Sequence, residues 1–217
     1  MCGVLYFKGD SRKHKELIIS LLNESRIRGL HAFGVSLRPS SEDDFQTMRT
    51  FDLPAAIDYI QANQFVELIG HCRYDTSGDW REINNNQPIV IGNSILAFNG
   101  VVRMSTKEEY EAEFQREYTT ANDGEIVLRM FAEEGGAGTE KLLQESRVTF
   151  AGVLRVNGRT LALRNSGRPL WIAEDKGVKF VFSTLDIFKR AVRSVPHPEK
   201  YALMDHHEVP PMEVQWL

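Results

Sequence analysis

Residues 1–7 read MCGVLYF: a thiol at position 2, a glycine, then four apolar residues. A run of this kind predicts a buried strand that opens the fold, "CGVLYFK". Few proteins need a cysteine beside their own amino terminus, so the rest of the chain has to say whether Cys2 is a core residue or the centre of the chemistry. Working outward, Leu17, Ile18, Leu21 and Leu22 recur at helical spacing in "HKELIISLLNESRI" and predict an amphipathic helix. "HAFGVSLR" and "EDDFQTMRTF" read as strands, and Pro54 starts a helix through "AAIDYIQAN". "FVELIGHCRYDT" is an apolar strand that runs out into polar residues, and "PIVIGNSILAFNG" is a hairpin about Gly92 and Asn93. Helices are expected over 106–118 and 124–132, then "EEGGAGTE" as a flexible connection. Four short strands follow, "RVTFAGVLRV", "RTLALR", "LWIAED" and "VKFVFST", then the helix "LDIFKRAVRS" and a strand-like "MEVQWL". Strands and helices are grouped, not alternating, which argues for an α+β fold with antiparallel sheets.

The totals exclude several functions. A chain of 217 residues with 42% hydrophobic and 26% charged residues has ample material for a core. A net charge of −4 without a basic block gives nucleic-acid binding no support. No apolar run is long enough to span a bilayer. The opening lacks the basic region of a secretory signal, and glycine stands third, not second, which excludes a myristoylation start. Two cysteines, Cys2 and Cys72, make no disulfide framework. A cytoplasmic location is the expectation.

Six short polar stretches fall at strand ends and in loops: MCG at 1–3, RGLHAFG at 28–34, GHCRYDTSGD at 70–79, NNNQPI at 84–89, AFNGV at 97–101 and ANDGEIV at 121–127. Each is weak alone. In order and spacing the set resembles the class II glutamine amidotransferase domain of the N-terminal-nucleophile hydrolase superfamily, as found in the glutaminase domains of amidophosphoribosyltransferase and glucosamine-6-phosphate synthase. The resemblance runs from Cys2 to about Leu170, and "ALRNSGRPLWI" is similar to that family's arginine–Gly–Arg/Lys–Pro–Leu stretch. It implies a four-layer αββα sandwich, with residues 1–217 as one such domain once Met1 is removed.

The chemistry of the residues points the same way. A thiol needs a base to attack near neutral pH. With Met1 removed, Cys2 carries an α-amine whose reference pKa is roughly 7.7–8.0, suited to take the thiol proton and return it to the leaving nitrogen. "FNG" can supply two oxyanion donors, the Asn99 amide and the Gly100 N–H, and the resemblance assigns them that role. Arg73 offers a fork for the α-carboxylate of free glutamine, and Asp123 a countercharge for its ammonium. Asp123 also precedes a helix, where an N-cap is its other reading. The resemblance places both in substrate binding, with Tyr74 and Thr76 lining the same pocket and Arg28 and Gly29 in support near the nucleophile. The implied reaction is hydrolysis of glutamine to glutamate and ammonia through a Cys2 thioester. It needs no metal or organic cofactor and hands ammonia to a separate synthetase or transferase. Two alternatives stay open: an amidohydrolase on another γ-glutamyl compound, and an inert glutamine-binding regulatory domain. Gly3 favours the glutaminase over the amidohydrolase, since relatives of the amidohydrolase type often begin "MCR".

Some positions depart from the family. Cys72 stands where Thr or Val is common, Asp75 replaces a small residue, and "FSTLD" at 182–186 stands where Ser–Glu is usual. Strand neighbours point to opposite faces, so Cys72 should turn away from Arg73 and be inert. "DHHEV" at 205–209 is a weak metal candidate, because adjacent histidines on a strand point apart and no second ligand cluster is visible.

Overall fold

Both faces of the first strand are apolar, and the structure shows why. In this computed structural model, which describes residues 1–217 except the side chains at 136 and 137, Leu5 and Phe7 point into one core and Val4 and Tyr6 into another. The chain runs β1 (Gly3–Lys8), α1 (Ser11–Ser25), β2 (Ala32–Arg38), β3 (Gln46–Thr50), α2 (Leu53–Ala62), β4 (Glu67–Arg73), β5 (Ile89–Ile91), β6 (Ser94–Val101), α3 (Lys107–Phe114), α4 (Gly124–Glu134) and α5 (Gly136–Leu143). It continues through β7 (Thr149–Val156), β8 (Arg159–Arg164), β9 (Trp171–Asp175), β10 (Val178–Phe182), α6 (Leu185–Ser194), α7 (Glu199–Ala202), β11 (Asp205–Glu208) and β12 (Gln215–Trp216). The strands form two antiparallel sheets, β11-β9-β10-β1-β4-β2-β3 and β12-β8-β7-β6-β5.

Three apolar clusters bind four layers together. Leu5, Phe7 and Phe180 pack under Leu17 and Leu21 of α1, Ile60 of α2 and Phe188 of α6. Val4, Tyr6 and Ile69 of the larger sheet meet Ala97, Ala151, Val153 and Ala162 of the smaller. Leu96, Phe98 and Leu154 pack on Ile126 and Phe131 of α4 and Leu142 of α5. The αββα sandwich expected from the resemblance is the observed fold. Full burial of each large apolar side chain is worth roughly 1.5–3 kcal/mol, and this fixes register: a one-residue slip of β1 would exchange its two cores. On that period-2 alternation Cys2 falls on the face between the sheets, with Val4 and Tyr6.

Four expectations need correction. The helix expected over 106–118 ends at Phe114, because Gln115 adopts a left-handed φ of 49°. Tyr118 then packs edge-on against Tyr110. "EEGGAGTE" is no loose connection: only Gly135 breaks the chain, with φ 72°, and α5 begins at Gly136. The helix expected to end at 132 continues to Glu134. The tail "MEVQWL" is strand only at Gln215–Trp216. No helix among the described residues is long and apolar enough to cross a membrane.

Candidate active site

One end of the layer between the sheets gathers the polar stretches. Cys2 enters at the head of β1, Arg73 at the end of β4, and Asn99 and Gly100 near the end of β6. The segments 74–88 and 119–123 close over them. Together Cys2, Arg73, Tyr74, Thr76, Gly100 and Asp123 line one small cavity of about 10 Å³, with Ser77, Gln87, Phe98 and Asn122. That volume is about one water-sized sphere.

Cys2 is held from several sides. Its N–H donates to Asn99 Oδ1 at 2.8 Å. Its thiol donates to the Tyr74 carbonyl at 3.2 Å, and the Tyr74 N–H lies 3.4 Å from Sγ. Arg28 Nε donates to the Cys2 carbonyl at 2.8 Å. Burial pushes the thiol pKa up, against the lowering influence of the Tyr74 backbone, the terminal ammonium, Arg73 and Arg28. A buried thiol of this kind stays protonated near neutral pH and needs a base.

The bond from Cys2 orients Asn99. With Oδ1 accepting, the Asn99 NH2 faces the other way, and it is buried without a hydrogen-bond partner. A buried amide donor left unpaired costs about 1–3 kcal/mol, so its presence calls for an explanation. The residue just before Asn99 is held at both of its backbone polar groups: Phe98 N–H donates to Gln87 Oε1 at 2.7 Å, and His71 Nε2 donates to Phe98 O at 3.0 Å. His71 is fully buried and stays neutral, its pKa pushed down to about 3 by desolvation. At Gly100 any side chain would collide with the Thr149 carbonyl, and at Gly29 with the Arg73 backbone. Glycine is the residue that permits both approaches.

Arg73 and Asp123 are brought together, but their bonds are made within the protein. Arg73 donates to the carbonyls of Asn85, Ser77 and Gly78 and to Asn86 Oδ1, the last two at 2.8 and 2.9 Å. Asp123 accepts from Ser77 Oγ at 2.7 Å and from the N–H groups of Val102 and Arg103 at 2.6 and 2.9 Å. Its side chain makes no cap bond to α4, which removes the helix-cap reading. Its pKa is raised by burial against these donors. The Tyr74 ring is half exposed and stacks on His31, which also pairs with Asp75; Thr76 is exposed.

Other departures are also placed. Cys72 faces α1, with Sγ directed to the Leu22 carbonyl at 3.5 Å, and burial pushes its pKa up. Ser183, of "FSTLD", accepts the Val4 N–H at 2.8 Å. "DHHE" is the exposed edge strand β11, and no group of three or more His, Cys, Asp or Glu able to hold a metal occurs among the described residues.

Family models and curated proteins give no match to the sequence. Solved structures do. Glutamine phosphoribosylpyrophosphate amidotransferase from B. subtilis, in complex with ADP and GMP, superposes with a TM-score of 0.72 at 18% identity, over 97% of this chain and 46% of that one. An allosteric regulatory enzyme of purine biosynthesis gives 0.73 at 18% identity, over 100% and 48%. A glutamine aminotransferase class-II domain protein from Silicibacter pomeroyi gives 0.54 at 11%, over 97% and 92%. The chain has the fold of a class II glutamine amidotransferase domain. It spans about half the length of the first two proteins.

Within this amidotransferase fold the sequence reading missed the residues that brace the site. His71 and Gln87 lie inside the quoted stretches, yet their roles come from contacts across the two sheets. Asn85 and Asn122 are further braces: Asn122 Nδ2 donates to the Asn85 carbonyl at 2.9 Å, and Ala121 N–H to Asn85 Oδ1 at 2.8 Å. The only signal for Asn85 was the run of asparagines in "NNNQ", and Asn122 lies beside Asp123 in "ANDGEIV".

Proposed function

We propose that this chain is a glutaminase, hydrolysing the side-chain amide of glutamine to glutamate and ammonia, with the ammonia passed to a separate acceptor synthetase or transferase. The observation that carries the reading is the Asn99 amide: its oxygen is engaged by Cys2, and its buried NH2 is unpaired. In the proposed reaction Met1 is removed and the Cys2 amine takes the thiol proton. Sulfur attacks the amide carbon, and the charge that develops on oxygen is met by the Asn99 NH2 and the Gly100 N–H. The amine returns the proton to nitrogen, ammonia leaves, and water cleaves the thioester through the same oxyanion.

Glutamine must displace part of the protein to bind. A cavity of about 10 Å³ cannot hold it, and the two ions suited to its charged end are engaged by Ser77 and Gly78. Neither buried ion can be left unpaired without a large desolvation cost. The consistent sequence is exchange: the 74–79 segment withdraws, the substrate carboxylate takes Arg73 from the Ser77 and Gly78 carbonyls, and the substrate ammonium takes Asp123 from Ser77. Loop movement of this kind commonly completes a catalytic site.

The test is ammonia release from glutamine and from γ-glutamyl peptides, using protein whose amino terminus has been verified by intact mass. Loss of activity in Cys2→Ala with unchanged melting supports the reading. Release from γ-glutamyl peptides alone promotes the amidohydrolase instead, and release from neither promotes the regulatory domain.

A further inference from the structure

The inter-sheet face that begins with Cys2 ends in a different chemistry. Along β1 it reads Cys2, Val4, Tyr6, Lys8; along β4, in reverse, Arg73, His71, Ile69, Glu67. Cross-strand pairing puts Lys179, Lys8, Glu67 and Arg38 in one row of the larger sheet. Arg155 and Thr160, paired with each other, stand on the smaller sheet. The last rung of this layer is therefore ionic, and it lies at the end of the sandwich opposite Cys2. Lys8, Arg38, Glu67, Arg155 and Thr160, with Arg159, Trp216 and Leu217, line a cavity of about 240 Å³.

The charges around it do not balance. Lys8, Arg38, Arg155 and Arg159 face one lining carboxylate side chain, Glu67. Glu67 is already engaged: Oε1 accepts from Tyr6 Oη at 2.8 Å and Thr160 Oγ1 at 2.5 Å, and Oε2, buried without a hydrogen bond, pairs with Arg38 and, at 3.5 Å, with Arg155. Lys8 Nζ donates to the Leu217 carbonyl at 3.0 Å. Arg159 makes no hydrogen bond or ion pair among the described residues and lies 3.6 Å over the Trp216 ring. Arg38 Nε is buried and unpaired. Lys179, next in the row, has its own partner in Glu174 at 3.0 Å. A chain of net charge −4 thus gathers four basic side chains and one carboxylate side chain around one concave space.

We propose that this cavity is a binding site for a small multivalent oxyanion of the phosphate type. Guanidinium forks match the geometry of phosphate oxygens, and lysine adds a point charge. The volume is below the roughly 300–1,000 Å³ of pockets that take drug-sized ligands, which selects an anion of the size of phosphate or pyrophosphate over a nucleotide. Such an anion completes the row: it supplies acceptors for Arg159, Lys8 and Arg38 Nε while Glu67 keeps its present partners.

The experiment is calorimetric titration of the full chain with inorganic phosphate and with pyrophosphate, in parallel with citrate and with sodium chloride of matched ionic strength. Saturable binding of phosphate or pyrophosphate is expected. Lys8→Ala and Arg159→Ala should each weaken it by about tenfold or more, the scale of one lost hydrogen bond to a charged group. Neither side chain contacts Glu67 by an ion pair, so both variants should melt as the parent does without anion. No saturable binding of either phosphate probe, equal binding by the variants, an equal response to sodium chloride, or binding of citrate alone would each overturn the proposal.

Discussion

Asn99 Oδ1 accepts the Cys2 N–H at 2.8 Å across the gap between the two sheets. One bond thereby joins the Cys2 nitrogen to the side chain whose other end is buried and unpaired. The proposed nucleophile and the proposed oxyanion donor are therefore set by the same contact and cannot be positioned independently.

Asn99→Ala should therefore lower kcat by about 10²–10³, the usual cost of one oxyanion donor, with KM little changed. Steady-state kinetics on glutamine check the split. A rise in KM alone would place Asn99 in ground-state binding.

In the proposed reaction the Cys2 thiol, its pKa raised by burial, depends on an unprotonated amine to accept its proton. Activity should be low where the amine is charged and rise with pH through its reference range of about 7.7–8.0. The pH profile of kcat/KM, on protein verified to begin at Cys2, is the measurement. Protein that retains Met1 should be inactive throughout, and full activity with Met1 in place would exclude the amine as base.

Arg73→Ala and Asp123→Asn remove charges that hold the segment 74–86 and that, in the proposed reaction, also meet substrate. Each should raise KM, by the equivalent of about 2–5 kcal/mol for a buried charge partner. Each should also speed amide hydrogen exchange in that segment. A KM effect with unchanged exchange would mean that the segment is held by other contacts.

His71 gives stability a dependence on pH. Its folded-state pKa lies at about 3, against roughly 6.5 in an unfolded chain. Between these values the unfolded chain binds a proton that the folded chain refuses. Stability should be full above about pH 6.5 and fall as pH drops toward 3, by roughly 3–5 kcal/mol. Urea unfolding of the parent and of His71→Gln across this window isolates the contribution, which the variant should lack. Parallel curves would rule it out.

The strands and helices were legible because their cause is one-dimensional, whereas the layer order came from the family resemblance. Apolar runs such as "GVLYF" and the helical spacing of Leu17, Leu21 and Leu22 survive in any sequence that buries both faces of a strand and one face of a helix. What the pattern leaves open is which strand joins which sheet, since every central strand is apolar on both sides. That Cys2, Asn99 and Asp123 would gather at one end of the sheets was legible from motif order. The partners of Arg73 were not: four acceptors along an irregular loop follow no period. Nor was the cationic cavity, whose members come from β1, β2, β4, β7 and β8 and meet only through register. Helix α5 was hidden by Gly135, Gly136 and Gly138, residues that weaken local preference while tertiary packing of Leu142 and Leu143 supplies the order.

Cys2 and Cys72 stand on opposite faces of one sheet, the first under the 74–79 segment and the second under α1. They are the only thiols in the chain. A thiol reagent thus meets two clocks in one molecule. The first advances whenever the segment over Cys2 lifts, and the second advances only when α1 parts from the sheet. Their two rates separate local breathing from loss of the core, and the native sequence carries both reporters without an added label.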